Sequence, residues 1–458
     1  MQGPLRHVKP PWAPSSLTYF PGRPSVRRVW GVSPSASERK KVLILGVGWG
    51  GFRLARDLDK RQFDVSVVSP RNHFLFTPLL PSTTVGTLEF RCVQEPVRTI
   101  RGVHYHQAQA TAIDVHHRQV HCLDVYRHYG SGKLVFQLPY DHLVIAVGTK
   151  SSTFGVPGLQ SREEQFSPTG TSKDNVFFLK QLEHARSIRH RIIECFERAS
   201  SPFVTEAERT RLLTFVVVGG GPTSIEFTSE LCDFIRHDVS QWYSDLKHSQ
   251  KIIVIEAGKH LLGNFDSSLS DYVETTLAKR QVTLLTNQVV KEVKDVSVVL
   301  DDGTEIPFGV CVWSTGNGAL EFVKNLPLPL SQDHRIKVDE TLQVLNHPHV
   351  YAIGDCAVNE DKPLAMLAQV ANQQGGHLAS CLNRDEALAF QYKFMGAMAS
   401  LGTFNAVVDL NGPKFKGIVA FLTWRSAYWT MMVSVVNKIL IPMFWFKSFF
   451  FGRDTSKF

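Results

Sequence analysis

Gly46, Gly48 and Gly51 fall at GxGxxG spacing in the run GVGWGG, with Gly50 in the same turn. Glycine at such places serves a tight turn, the close approach of backbone to a pyrophosphate, and the packing of a helix on a strand. The helix that follows offers free N–H groups and a positive dipole end to phosphate. The implied chemistry is the holding of a dinucleotide. An acid is expected about 20 positions on to bind ribose hydroxyls. Here Ser69 stands instead, followed by Pro70 and Arg71. A serine hydroxyl makes that bond more weakly than a carboxylate does.

The run VVVGGGPTSIE repeats the theme, with Gly219 and Gly221 in place, Pro222 and Thr223 in the turn, and Ser224 where the third glycine belongs. A small side chain still permits close packing there. Glu256 ends the next strand, where a carboxylate binds adenosine ribose hydroxyls and repels a 2′-phosphate, which favours NADH over NADPH. One glycine turn is weak evidence. Two, each between a strand and a helix, point to two nucleotide sites. Other residues are less telling alone. Glu226 lies in the first turn of the second helix, where the dipole favours an acid anyway. Gln369 and Gln373 are four apart and share a helix face, which is as often a polar face satisfied by backbone as a ligand site.

These residues need strand–turn–helix units to carry them. KVLIL (41–45), FDVSVV (63–68) and LVIAVG (143–148) read as strands, with further strands near 112–124 and a helix over about 179–199. LLTFVVV before the second turn and KIIVIEA (251–257) after it repeat the pattern, so the expected class is α/β with two Rossmann-like units. The expected boundaries are a leader over 1–38, a first nucleotide unit over 39–170, a second over 171–325, a return to the first over 326–400, and a C-terminal segment over 401–458.

The formal charge of +8 does not signal nucleic acid, because five of the positives, with no acid, sit in residues 1–37. That Pro-, Ser- and Arg-rich stretch reads as an organelle transit peptide, mitochondrial before plastid. The seven cysteines form no CxxC or CxxxxC pair, which excludes a local redox disulfide and any zinc spacing. No EF-hand loop is present, so calcium control is not expected. Near the C-terminus, Trp424, Tyr428, Met432 and Val435 fall at helical spacing, and Trp445, Phe446, Phe449, Phe450 and Phe451 cluster beyond them among Lys and Arg. This reads as an interfacial amphipathic segment on a membrane surface, and Asn437, Lys438 and Pro442 interrupt it too soon for a span.

The stretches SPRNHFLFTPLLPSTTVGTLEF (69–90), YAIGDC (351–356), MLAQVANQQ (366–374) and WRSAY (424–428) together resemble the type II, non-pumping NADH:quinone oxidoreductases, from about residue 39 to the end. The resemblance implies a glutathione-reductase-like two-dinucleotide fold, tightly bound FAD in the first unit, NADH as substrate in the second, and a membrane-associating tail. It implies that Ser69, Pro70, Arg71, Thr77, Pro78, Leu79, Gly148, Gly354 and Asp355 serve FAD with the first glycine turn. Thr315, Gly316 and Asn317 would border the nicotinamide, and Glu226 would tune or relay protons. Gln369, Asn372 and Gln373 would face the quinone, although position 372 varies in the family. The partners implied are NADH, a membrane quinone, a lipid surface and a second copy of the chain, on the mitochondrial inner membrane or a plastid membrane. A sulfide:quinone oxidoreductase shares the fold and would need paired reactive cysteines, for which Cys356 has no nameable partner. A flavoprotein that only senses NADH is the non-enzymatic rival.

Overall fold

The computed structural model describes residues 39–126, 134–159, 175–246, 249–410 and 412–456. The leader expected over 1–38 lies outside them. Lys40–Leu45 is the central strand of a five-stranded parallel sheet, flanked by His142–Ile145 and Phe63–Val68, with Val350–Ala352 and Val103–His106 at the edges. Parallel strands covered on both faces must be apolar throughout, and Val42 to Leu45 are fully buried. The chain leaves this sheet after Ile145 and returns only at Val350.

Between these points it builds a second all-parallel sheet in the order Val176–Phe178, Val310–Trp313, Thr214–Val218, Lys251–Glu256, Val282–Thr286. The two units end their central strands alike. Gly46 N donates to Val68 O and Gly219 N to Ile255 O, both at 2.8 Å. Each glycine turn therefore sits at the C-terminal edge of its sheet, where open α/β sheets bind ligands. The helix expected from about 179 spans Leu182–Ala199, and the helix after the second turn spans Pro222–Phe234. The latter runs on through a π-helical turn at Ile235–Val239, which accounts for the long gap before Glu256. Small antiparallel sheets at Ala108–Pro139 and Val290–Pro307 cover the units.

The C-terminal segment carries, ahead of its helices, an element that its composition does not announce. It opens as an antiparallel sheet of Ala397–Ser400, Ala406–Asp409 and Lys414–Gly417. Helices Ile418–Met431 and Val435–Phe451 follow, and the break between them splits the expected aromatic stripe. Trp424 and Met432 are core residues, 3% and 4% exposed, whereas Val435 is 72% exposed. Asn437, Lys438 and Pro442 interrupt the apolar run as expected, although the second helix itself continues through Pro442. Asn437 is buried and donates to Gln94 O at 3.1 Å and Glu95 Oε1 at 2.9 Å. Beyond the helix, Arg453 donates to Asp238 Oδ2 at 2.9 Å and Thr87 Oγ1 at 2.8 Å, clipping the tail to both nucleotide units. No described helix is long and apolar enough to cross a membrane.

Candidate active site

The two glycine turns fit dinucleotides. Gly46 has a φ of +102°, and a side chain there would strike the Ala146 carbonyl. A side chain on Gly51 would strike Gly46 O, so this glycine lets the helix Trp49–Asp57 sit on its strand. At Gly48, by contrast, an added Cβ would meet nothing within 4 Å, which leaves room for a pyrophosphate. Gly50 has another job: it packs against Ile353 and the helix Ala368–Arg384, whose Gly375 lies on the Gly50 carbonyl. The Trp49 indole donates to Thr77 Oγ1 at 3.1 Å and so fixes the Thr77–Leu79 turn beside the glycines. Leu79 in that turn is fully buried. Ser69 is buried and accepts from Arg71 N at 3.2 Å, Pro70 is exposed, and the Arg71 guanidinium donates to His73 O at 3.0 Å.

The second turn repeats this logic with one substitution. Gly219 has a φ of +111° beside Ser314 O, and Gly221 is open in front. Ser224 is fully buried and its hydroxyl donates to Ser314 O at 3.1 Å, so the replacement for the third glycine is bonded as well as packed. Pro222 occupies the first turn of the helix, where its missing N–H costs nothing, and Thr223 follows it. Glu256 reaches the turn: its carboxylate accepts from Gly220 N and from Gly258 N, the latter at 2.6 Å.

The units meet at a seam. Gly148, with φ +69° and open space in front, ends the Ala146–Gly148 turn of the first unit. Gly354 N donates to Gln374 Oε1 at 2.7 Å, which holds the Gly354–Asp355 turn to the helix Ala368–Arg384. Burial raises the Asp355 carboxyl, with Lys180 opposing the shift. Strand Lys150–Ser151 pairs with Asn317–Gly318, bringing Thr315, Gly316 and Asn317 of the second unit against the first. Lys180 stands between them, donating to Thr149 Oγ1 at 2.8 Å and Asn317 Oδ1 at 2.7 Å. Neither Lys180 nor Gln374 was singled out from the sequence. Both are ordinary polar residues locally, and only the tertiary meeting gives them partners.

Glu226 is placed where the second unit meets the C-terminal segment. It is 6% exposed, and its Oε1 accepts from Ser400 N and Trp424 Nε1, each at 3.1 Å. Burial pushes the carboxyl up to about 8 against the pull of those two donors. Its other oxygen has no protein partner among the described residues, which suits a protonated acid. The Tyr428 ring lies edge-on to Trp424 at 5.1 Å and to Phe76 at 5.9 Å, and burial raises its hydroxyl. Arg425 stacks on Phe421 and Trp445, 4.4 Å from each ring. The WRSAY run is thus a packed junction between Glu226 and the Phe76–Thr77 stretch.

Gln369 and Gln373 do share a face of the helix Ala368–Arg384. Both amides are engaged by backbone: Gln369 with Gly396 O and Met395 N, each at 3.1 Å, and Gln373 with Lys393 O at 2.8 Å and Lys393 N at 3.0 Å. The pair fixes residues 393–396, and Asn372 stands half-exposed beside it.

Comparison with known proteins agrees with this geometry. A family model described as pyridine nucleotide-disulphide oxidoreductase matches residues 40–375, and one described as NDH2 C-terminal domain matches 394–454. A probable NADH dehydrogenase of Dictyostelium discoideum is 42% identical, over 92% of each chain. This chain belongs to the type II NADH:quinone oxidoreductase family. An external mitochondrial NADH-ubiquinone oxidoreductase of Saccharomyces cerevisiae, a further relative, is 38% identical over 92% of this chain and 82% of its own. The solved NDH2 of Plasmodium falciparum in complex with NADH is 25% identical and covers 92% of this chain and all of its own, with a TM-score of 0.84. The sulfide:quinone oxidoreductase of Aquifex aeolicus, at 18% identity and a TM-score of 0.65, shares the fold alone. In this type II chain all seven cysteines are free and buried. Cys356 packs on the Ile145 and Ile353 carbonyls, and burial pushes its thiol up to about 11, so the residue that the sulfide reading needs is inert.

Proposed function

We propose that the protein catalyses NADH + H⁺ + quinone → NAD⁺ + quinol without moving protons across a membrane. The observation that carries this reading is the pair of open glycine turns, one on each of the two parallel sheets of one chain, joined to a C-terminal segment of the NDH2 type. Residues 39–170 with 326–400 would hold FAD, and 171–325 would hold NADH. FAD, when bound, supplies the hydride acceptor that can pass two electrons on to a quinone.

The chain's own part is placement and proton supply. The Gly46–Gly51 and Gly219–Ser224 turns would bind the pyrophosphates, Ser69 and Asp355 hydroxyls of the FAD chain, and Glu256 the NADH ribose. Arg71, Thr77, Pro78, Leu79 and Gly148 would frame the flavin, and Thr315, Gly316 and Asn317 the nicotinamide. Glu226 would hold a proton at the junction with the C-terminal segment. The segment fixed by Gln369 and Gln373, with Asn372, would receive the quinone head.

The outer face of the C-terminal helices exposes Ile418, Leu422, Val436, Ile439, Met443 and the Phe446–Phe451 cluster, which supports docking on a lipid surface. We place that surface at the mitochondrial inner membrane, and a homodimer is compatible with it. Steady-state oxidation of NADH should depend on a short-chain ubiquinone in one-to-one stoichiometry. Oxidation that proceeds equally well without quinone would reject the assignment and favour an NADH sensor.

A further inference from the structure

The ammonium of Lys180 has three N–H groups, and two neutral acceptors take two of them: Thr149 Oγ1 of the first unit at 2.8 Å and Asn317 Oδ1 of the second at 2.7 Å. Among the described residues no carboxylate lies within ion-pair distance of it, and no acceptor takes the third N–H. The nearest acid is linked through Thr149, whose hydroxyl lies 3.4 Å from Asp355 Oδ2. The result is a part-buried cation whose counter-charge, Asp355, is held one hydroxyl away rather than in an ion pair. It stands among the residues that close the cofactor strands of both units: Thr149 follows Gly148, Asn317 follows Gly316, and Asp355 follows Gly354. Burial lowers the amine to about 8, so the position costs free energy that an ordinary structural lysine would avoid by reaching solvent.

The chemistry at this seam explains such a cation. A hydride carries two electrons and one proton, so a neutral acceptor that receives one gains a full negative charge. In a dry site a fixed positive charge close by lowers the cost of that charge without rearranging at the moment of transfer. We propose that Lys180 is the group that stabilises the charge arriving at the flavin with the hydride, and thereby sets the flavin's reduction potential. The inference rests on the reading that the first unit holds FAD and the second NADH. A purely structural role, tying the units together through Thr149 and Asn317, would be served as well by a neutral donor.

The test compares the FAD-loaded full chain with Lys180→Gln and Lys180→Arg. Flavin content of the unaltered protein comes first, because its absence defeats the reading of the first unit rather than the role of Lys180. With flavin present, spectroelectrochemical titration gives the potential directly. K180Q keeps hydrogen-bond donors and loses the charge, and should lower the equilibrium constant for reduction at least tenfold, a fall of about 30 mV for a two-electron couple. K180R keeps the charge and should restore most of that difference. A K180Q potential equal to the unaltered one overturns the proposal. So does an equal fall in both variants, which would mark a packing effect rather than charge.

Discussion

Replacing Glu226 by Gln should stabilise the protein, and more so as the pH rises. Burial holds the Glu226 carboxyl at about 8, against an ordinary value of 4.5. A group whose folded pKa lies above its unfolded one binds its proton more tightly in the fold. Its cost is absent below the unfolded value, grows as pH rises between the two, and is constant above the folded one. At ~1.36 kcal/mol per unit, that window amounts to on the order of 5 kcal/mol as an upper bound. Gln keeps an acceptor for Ser400 N and Trp424 Nε1 and has no charge to bury. Thermal unfolding of both holoproteins from about pH 5 to about pH 9 should give melting temperatures that diverge with pH, the Gln form higher at the alkaline end. Turnover with quinone should fall roughly 10²-fold in the same variant, the low end of what a positioned proton donor contributes. Melting curves that stay parallel over the whole range would refute the claim that this acid is held protonated at neutral pH.

Gly51→Ala places a methyl group on the Gly46 carbonyl oxygen, so it should push the first helix off its strand and yield protein purified with little flavin, read from the absorbance spectrum. Glu256→Gln removes the charge that would repel a 2′-phosphate, and the preference of kcat/KM for NADH over NADPH should narrow about tenfold or more. Changing Phe446, Phe449 and Phe450 together to Ser removes exposed rings worth about 2 kcal/mol each if lipid covers them. Co-sedimentation with anionic vesicles should then drop by at least about 10²-fold, while NADH oxidation with a water-soluble acceptor is retained.

The glycine turns were legible because their chemistry is local: a positive φ and a close backbone approach allow few residues besides glycine. The two parallel sheets were legible for a similar reason, since burial on both faces forces apolar runs such as KVLIL and LLTFVVV. What stayed hidden depends on contacts between distant segments. Nothing around Lys180 in FFLKQL signals that Thr149 and Asn317 converge on it. Gln374 reads like its neighbours until its carbonyl meets Gly354 N. At the C-terminus, helical spacing grouped Trp424 with Val435, but the turn ending at Ser434 starts a new helix and sends the two to opposite environments. The strands at 397–417 are short and rich in Gly, Lys and Ala, so composition hid a sheet whose stability comes from packing on the helices beside it.

The most direct test of the central claim is an anaerobic absorbance experiment in two steps on the purified protein. NADH is added first and the oxidised flavin bands are followed, and a short-chain quinone is added second. Bleaching by NADH and rapid recovery with quinone are expected, because both substrates act on one bound flavin. Bleaching without recovery would contradict the quinone half of the account, and a spectrum with no flavin band would contradict the assignment of the first glycine turn itself.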